Sequence, residues 1–196
     1  MTWKRCTQAP NNSFHVSAIS FQWNTQQAFP LTAESCKLNA MRVLAIDPGY
    51  GRCGVAILDK ENGKERWIYS DCIETKAQDG FALRLAQVVA ECEHLIKKHK
   101  PDALAMERLF FNSNQKTAMQ VAEVRGAILH AAVSLGIPSF EYSPGQIKSA
   151  AAGSGRADKK QVADMLHLLL KIEKTIKHDD EYDAIAVGIT HLAHAR

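Results

Sequence analysis

The chain has 196 residues, of which 46% are hydrophobic and 23% are charged, and both fractions are ordinary for a globular domain. This composition excludes collagen-like, mucin-like and wholly disordered chains. The 24 Lys and Arg residues against 21 Asp and Glu give a formal net charge of only +3. That balance neither indicates nor excludes a nucleic-acid-binding protein, because a local basic patch can attract phosphate groups even when the total charge is small.

The cysteines and the hydropathy pattern bear on the compartment. There are five cysteines and no CxxC pair, so a structural zinc site is not favoured and reduced thiols are expected. No apolar run reaches the roughly 18 residues of a membrane helix. We therefore expect a cytoplasmic protein without a membrane partner, the alternative being an organelle if the N-terminus is a transit peptide.

Residues 1–40 differ from the remainder of the chain. They are rich in Ser, Thr, Asn and Gln and show no sustained hydrophobic periodicity. Three explanations are open: a disordered extension, a transit peptide, or an upstream start codon used in place of Met41. A transit peptide is usually richer in arginine than this segment. We predict a non-essential extension over 1–40 and one folded domain over 41–196.

The folded domain reads as strands followed by alternating helices and strands. Apolar runs predict strands over Arg42–Ile46, Cys53–Leu58, Trp67–Ile73, Ala103–Met106 and Ile137–Tyr142, with residues 59–63 as a polar turn. Helical spacing predicts helices from Phe81 to before Pro101, over 118–135, and over 144–151, 158–172 and 181–194. The order predicts an α/β fold whose five-stranded mixed sheet begins with an antiparallel meander and carries helices on both faces.

Four acidic residues occupy positions that favour a shared site. Asp47 and Glu107 each follow a hydrophobic strand, while Asp180 and Asp183 project from one face of the last helix. Taken singly, Asp47 is more typical of a turn, the acids of the last helix are more typical of a helix cap, and Glu107 is unremarkable. Taken together, four carboxylates would suit Mg²⁺ or Mn²⁺. Two such ions could support hydrolysis of a phosphodiester by water.

A second motif overlaps the first acid. The stretch from Asp47 to Gly54 fits the D-x-G-x-x-x-x-G phosphate loop of sugar kinases and actin-like ATPases. The pattern is short, and those enzymes need a second matching domain that the residues after Met41 leave no room for. We therefore rank a kinase well below a nuclease. The chain also shows no pattern for covalent catalysis by serine or cysteine, and His191 and His194 are better explained as structural than as metal ligands.

Several stretches together resemble the RuvC family of Holliday-junction resolvases over 41–196. They are VLAIDPGYGRCGVAIL (43–58), DALAMERLFF (102–111), AEVRGAILHAA (122–132), YSPGQIKSAAAGSGRADKKQV (142–162) and DDEYDAIAVGITH (179–191). The resemblance implies a ribonuclease-H-like fold and a homodimer that cuts four-way junctions with Mg²⁺. It also makes Asp47, Glu107, Asp180 and Asp183 the catalytic, metal-binding acids.

The last motif departs from the family's usual D-A-A-D pattern in the two residues between its aspartates. Glu181 and Tyr182 stand between the two aspartates, where the family usually has small residues. Asp179 also offers a competing position for the third acid, four residues before Asp183. The i,i+3 spacing favours Asp180.

The resemblance also implies residues that contact DNA. Phe110 corresponds to an aromatic side chain that stacks on a base, whereas Phe111 is expected in the core. Within 142–162, four basic residues accompany one acid, and Lys148, Lys159 and Lys160 are expected to contact phosphates. Arg125 is a further candidate that could instead brace the site or the dimer. Arg108 is indistinguishable from an ordinary surface arginine.

We therefore expect a hydrolase that makes paired nicks in strands of like polarity at Holliday junctions, during recombination and repair. It would use two Mg²⁺ ions per site, with Mn²⁺ as a substitute. The family implies the branch-migration proteins RuvA and RuvB as partners. Two alternatives are a ribonuclease-H-like nuclease acting on another branched or hybrid substrate, and a catalytically silent junction-binding protein.

Overall fold

A computed structural model describes residues 40–109 and 115–195, with the side chains of 115–117 left out. Apart from Ala40, the predicted extension lies outside these residues, and so do Phe110 and Phe111. The predictions made for those positions therefore stay predictions. The elements below belong to one compact unit of the chain.

Ten elements follow in the predicted order. The strands are β1 (Ala40–Asp47), β2 (Arg52–Glu61), β3 (Lys64–Glu74), β4 (Ala103–Glu107) and β5 (Ser139–Tyr142). The helices are α1 (Phe81–His99), α2 (Gln115–Ser134), α3 (Pro144–Ala152), α4 (Lys159–Leu170) and α5 (Asp179–His194). Capping explains two of the helix starts, because Ser143 before α3 and Asp158 before α4 each form a reciprocal capping box with a glutamine.

The sheet has the strand order β3-β2-β1-β4-β5. β1, β2 and β3 form the predicted antiparallel meander, while β4 and β5 run parallel to β1. Parallel strands present their carboxyl ends at one edge, which is where sites in such sheets lie. In the register, Ile46 lies opposite Met106, so the next residues, Asp47 and Glu107, leave that edge side by side.

Each face of the sheet is covered by helices, as predicted. One core contains apolar residues of α3, α4 and α5, among them Ile147, Leu166 and Ile185. The other contains residues of α1 and α2, among them Val88 and Ile128. α5 is the central helix, because it packs across β1 and β2 and is buried over most of its length. Its position brings the acids at its start to the carboxyl edge of β1 and β4.

The predicted polar turn over 59–63 is shorter in the structure. β2 continues to Glu61, and only Asn62 and Gly63 form the turn, with positive φ angles of 52° and 75°. Such angles are typical of a two-residue hairpin turn. The hairpin extends beyond the core, where polar strand residues are tolerated. Arg42 of β1 pairs there with Asp59 of β2 at 2.7 Å.

Over residues 40–109 and 115–195, no helix combines the length and the apolar character needed to cross a bilayer.

Candidate active site

Three segments bring the four predicted acids to one edge of the sheet. Asp47 is the last residue of β1 and Glu107 the last residue of β4. Asp180 and Asp183 lie in the first turns of α5. Asp47 and Glu107 line a cleft of about 220 Å³ that opens at this edge. We refer to these four residues as the acidic site.

The acids of this site perturb one another. Burial, followed by the charges of Asp183, Glu107 and Asp180, raises the pKa of Asp47 to about 7. Burial and the charge of Asp183 raise the pKa of Glu107. Burial likewise raises the pKa of Asp183. Such mutual repulsion shows that the carboxylates share one electrostatic environment, and it is characteristic of functional sites.

Two cations partly offset this negative charge. The Lys159 ammonium group lies 2.8 Å from an Asp179 oxygen and 3.3 Å from an Asp183 oxygen. Arg52 Nε lies 3.0 Å from Asp180 Oδ2. Asp180 Oδ2 is thus buried beside a positive charge but receives no hydrogen bond. The negative charge of the acids on α5 is therefore offset more strongly than the negative charge of Asp47.

The structure distinguishes Asp180 from Asp179. The Asp180 side chain is 21% exposed, and its charge helps to raise the pKa of both Asp47 and Asp183. The Asp179 side chain is 55% exposed, and its charge helps to raise the pKa of Asp183. Asp179 pairs with Lys159 at the rim, and that ammonium group lowers its pKa. This geometry supports Asp180 as the third acid.

The donor set of the acidic site fits a hard divalent cation. It consists of carboxylate oxygens, the ligands that Mg²⁺ and Mn²⁺ prefer, and it includes the unbonded, buried Oδ2 of Asp180. Among the described residues, no three such side chains are already arranged around one point. The repelling acids would close around a cation only once its charge offsets their own.

A close backbone approach positions the start of α5. Gly54 lies in β2, paired with Asp47 of β1. A Cβ atom at position 54 would lie 1.8 Å from the Asp180 carbonyl oxygen. Only glycine allows this contact. The absence of a side chain therefore lets the helix that carries Asp180 and Asp183 lie directly against the strand beside Asp47.

Glu181 and Tyr182, which replace the two small residues of the family's D-A-A-D motif, point away from the acidic site. Glu181 is 2% exposed and accepts a hydrogen bond of 2.5 Å from Ser70 of β3. The Tyr182 hydroxyl lies 2.8 Å from His167 Nε2 of α4. Both larger side chains are thus accommodated by neighbouring elements, and Asp180 and Asp183 keep one shared face.

The predicted phosphate-binding lysines lie around the site. Lys148 of α3 is half-buried, and its charge lowers the pKa of Glu107 against the upward shift from burial. Lys159 pairs with the acids of α5. Lys160 is exposed at the start of α4. Two of the three lysines therefore act electrostatically on the acids themselves.

The predicted arginine is engaged with another side chain. Arg125 of α2 forms an ion pair with Glu141 of β5, and its side chain is only 12% exposed. Arg108 lies 3.9 Å from the same glutamate. These contacts support the bracing alternative for Arg125. Its role in DNA binding stays a prediction.

The two histidines of α5 are structural in the geometry observed. His191 is 2% exposed, and its Nδ1 lies 2.9 Å from the Tyr142 hydroxyl. His194 Nδ1 lies 2.8 Å from the Thr190 carbonyl oxygen.

Sequence reasoning missed Arg52 as a residue of the site. It lies at the first position of β2 and contacts Asp180, Asp179 and His178. The sequence offered one indication of this role, because Arg52 lies in the GYGRCG stretch, two residues before Gly54. An antiparallel hairpin returns that position to the edge where Asp47 ends.

Comparisons with known proteins agree with this geometry. The family model for the crossover junction endodeoxyribonuclease RuvC matches residues 43–191. A protein of that name from Brevibacillus brevis is 41% identical over 77% of this chain and 91% of its own length. Another, from Petrotoga mobilis, is 44% identical over 77% of this chain and 93% of its own length.

Solved structures give the same result. RuvC of Thermus thermophilus is 31% identical, with a TM-score of 0.71 over 79% of this chain and 95% of its own. The same protein in complex with Holliday junction substrate gives a TM-score of 0.75 over 80% and 95%. The yeast mitochondrial Holliday junction resolvase Ydc2, at 16% identity, gives 0.60 over 78% of each chain, and supports the ribonuclease-H-like fold alone.

Proposed function

The chain belongs to the RuvC family of crossover junction endodeoxyribonucleases, and from that premise we propose a metal-dependent mechanism at the acidic site. The enzyme is a DNA hydrolase that resolves Holliday junctions, and the family to which it belongs is one of metal-dependent nucleases. The observation that carries the proposal is the convergence of Asp47, Glu107, Asp180 and Asp183 at one edge of the sheet, where burial raises the pKa of three of them.

The proposed metal ligands are Asp47, Glu107, Asp180 and Asp183. Two Mg²⁺ ions, or Mn²⁺ in their place, would supply activated water and stabilise the charge that develops on the phosphodiester. Asp47 must be ionised to serve as a ligand, and its raised pKa means that cation binding and proton release are coupled at this residue.

Basic residues beside the acids are proposed to hold the DNA backbone. Lys159 reaches Asp179 and Asp183 in the protein alone, so its ammonium group stands where a scissile phosphate would approach. Lys148 lies near Glu107, and Lys160 would contact a phosphate farther along the strand. We keep Phe110 as the base-stacking residue and Arg125 as a weaker DNA contact.

Paired nicking requires two sites, and we propose a homodimer related by two-fold symmetry that cuts strands of like polarity. Exposed apolar residues on α2 support this proposal, since Met119 and Val133 are 69% and 63% exposed and lie 14 residues apart, close to one helix face. We further propose RuvA and RuvB as partners and a cytoplasmic location, in keeping with the bacterial relatives.

The deciding experiment is a cleavage assay with three labelled substrates: a synthetic four-way junction, a linear duplex of the same sequence and an RNA–DNA hybrid. We expect symmetric nicks in the junction with Mg²⁺ or Mn²⁺, none with EDTA, and little cutting of the other two. Preferential cutting of the hybrid would favour the other nuclease function. Junction binding without cutting under any metal condition would favour a structural protein.

A further inference from the structure

A buried polar cluster lies behind the acidic site, on the opposite side of the first turn of α5. Its members are Trp67 and Ser70 of β3, Lys174 of the α4–α5 connection, and Glu181 of α5. We call it the anchor cluster. None of these residues belongs to the acidic site, yet Glu181 directly follows Asp180 and lies two residues before Asp183.

The hydrogen bonds of the anchor cluster converge on one carboxylate oxygen. Glu181 Oε1 accepts from Ser70 Oγ at 2.5 Å and from Lys174 Nζ at 2.8 Å. Ser70 Oγ in turn accepts from Trp67 Nε1 at 2.9 Å. Lys174 Nζ also donates to the Ser70 carbonyl oxygen at 2.8 Å. Two separate segments of the chain, β3 and the α4–α5 connection, are therefore fastened to the first turn of α5.

An irregularity in the sheet makes this arrangement possible. Ile57 pairs with Tyr69 and Leu58 with Trp67, so Ile68 is an extra residue in β3. Trp67 packs against the core that contains α5, whereas Ile68 and Tyr69 both pack against the other core. The bulge thereby brings Ser70 to the same face as Trp67, three positions away. Bulges beside active sites re-aim side chains in this manner.

Burial makes the cluster costly to disturb. Ser70 and Glu181 are each 2% exposed, and a buried carboxylate is stable only when it is paired and hydrogen-bonded. Any shift of the first helical turn would break these bonds. On the other side of that turn, the contact between Gly54 and the Asp180 carbonyl blocks movement toward β2.

We propose that Ser70, Lys174 and Glu181 are positioning residues, which fix the first turn of α5 so that Asp180 and Asp183 are preorganised to bind the divalent cation. This inference rests on the proposed function of the acidic site. Groups that orient metal ligands from behind have large effects on binding, and their loss typically weakens metal affinity or activity by about 10- to 100-fold.

The test compares Ser70→Ala, Glu181→Gln and their double variant with a matched control, Ile185→Val. Ile185 is fully buried in the same helix and takes no part in the cluster. Thermal melts establish that each variant folds. Free Mn²⁺ is measured by electron paramagnetic resonance in titrations of the metal-stripped protein. Amide hydrogen exchange at Asp183 and Ala184 is measured in the same protein without metal.

We expect each cluster variant to bind Mn²⁺ about 10-fold more weakly and to exchange faster at Asp183 and Ala184. The double variant should be little worse than either single one, because the groups act as a unit. Ile185→Val should stay within about twofold of wild type in both measurements. Unchanged Mn²⁺ affinity and exchange in the cluster variants, or equal losses in Ile185→Val, would overturn the proposal.

These readouts separate this inference from the proposed function. Wild-type protein that binds no Mn²⁺ and cuts no junction would contradict the metal mechanism. Exchange in the metal-free protein would still report whether the cluster fixes the helix.

Discussion

The first turn of α5 carries acids toward two sides of the molecule, and their surroundings are opposite. On one side, Asp183 lies close enough to Asp47 and Glu107 for its charge to act on both, and burial without sufficient counter-charge raises the pKa of all three. On the other, Glu181 is almost fully buried but has a cation and a hydroxyl group on one oxygen. The same turn thus combines a satisfied anchor with an unsatisfied site. We expect stability to come from the first, and the proposed affinity for cations from the second.

The largest effects are expected when a negative charge is removed from the acidic site. Asp47→Asn and Glu107→Gln should each reduce junction cleavage by at least about 10³-fold, since even one preorganised group that stabilises a transition state contributes about 10²–10³. Junction affinity should stay within about threefold of wild type, because neither residue is expected to hold the DNA. Single-turnover cleavage and gel-shift titrations measure the two effects. Substantial remaining cleavage in both variants would contradict the assignment.

The second test separates neighbouring aspartates. Asp180→Asn should reduce cleavage by about 10²-fold, because it removes a proposed metal ligand of the acidic site. Asp179→Asn should reduce cleavage by less than about threefold, because Asp179 lies at the exposed rim and pairs only with basic side chains. The two variants make the same chemical change at adjacent positions and so control for each other. The reverse order of effects would move the third ligand to Asp179.

The third test compares two adjacent lysines. Lys159→Gln should reduce cleavage by about 10-fold or more, because Lys159 contacts acids of α5. Lys160→Gln should mainly weaken junction binding. The dependence of the logarithm of the binding constant on the logarithm of the salt concentration should become less steep, by the amount expected for about one lost phosphate contact. Cleavage rates at saturating enzyme and binding at several salt concentrations distinguish these effects. Equal losses of rate would show that Lys159 has no special relation to the acids.

The smallest expected effect concerns stability without metal. Asp47 has a pKa of about 7 in the folded protein against an ordinary 3.8, so the folded state holds its proton more tightly. The contribution of Asp47 to the free energy of unfolding should therefore fall as the pH rises from about 4 to 7. The Asp47→Asn variant cannot ionise at this position and so avoids this loss of stability. At pH 8 in EDTA it should melt about 3 °C higher than wild type, which corresponds to a gain in the free energy of unfolding of roughly 1 kcal/mol or more.

At pH 4 the difference between Asp47→Asn and wild type should nearly vanish. Adding Mn²⁺ at pH 8 should raise the melting temperature of wild type more than that of the variant. Glu91→Gln, an exposed change on α1, is the control for a lost negative charge. A melting difference that is independent of pH would show that repulsion at Asp47 is not its source.

Much of the fold and the acidic site could be predicted because they depend on local patterns. Hydrophobic runs located all five strands, and a polar residue at the end of a buried strand identified Asp47 and Glu107. The i,i+3 spacing on α5 favoured Asp180, whose side chain is 21% exposed against 55% for Asp179, and its role as a ligand stays a prediction.

The features that escaped prediction depend on distant parts of the chain. The bond between Ser70 and Glu181 joins residues 111 positions apart, and it requires a bulge that no local pattern indicated. The pairing of Arg52 with Asp180 likewise exists only once α5 lies on β2. Side-chain charge alone could not show which cation would meet which acid.

The central position of α5 has a consequence for the order of events during protein synthesis. Asp47 and Glu107 are made early, but the helix that brings Asp180 and Asp183 is the last element described, and it must be buried across β1 and β2 before the four acids meet. A chain still being translated, or one that has lost this packing, holds only half of the acidic site. With the proposed roles of these acids, cutting activity would therefore require the completed tertiary structure.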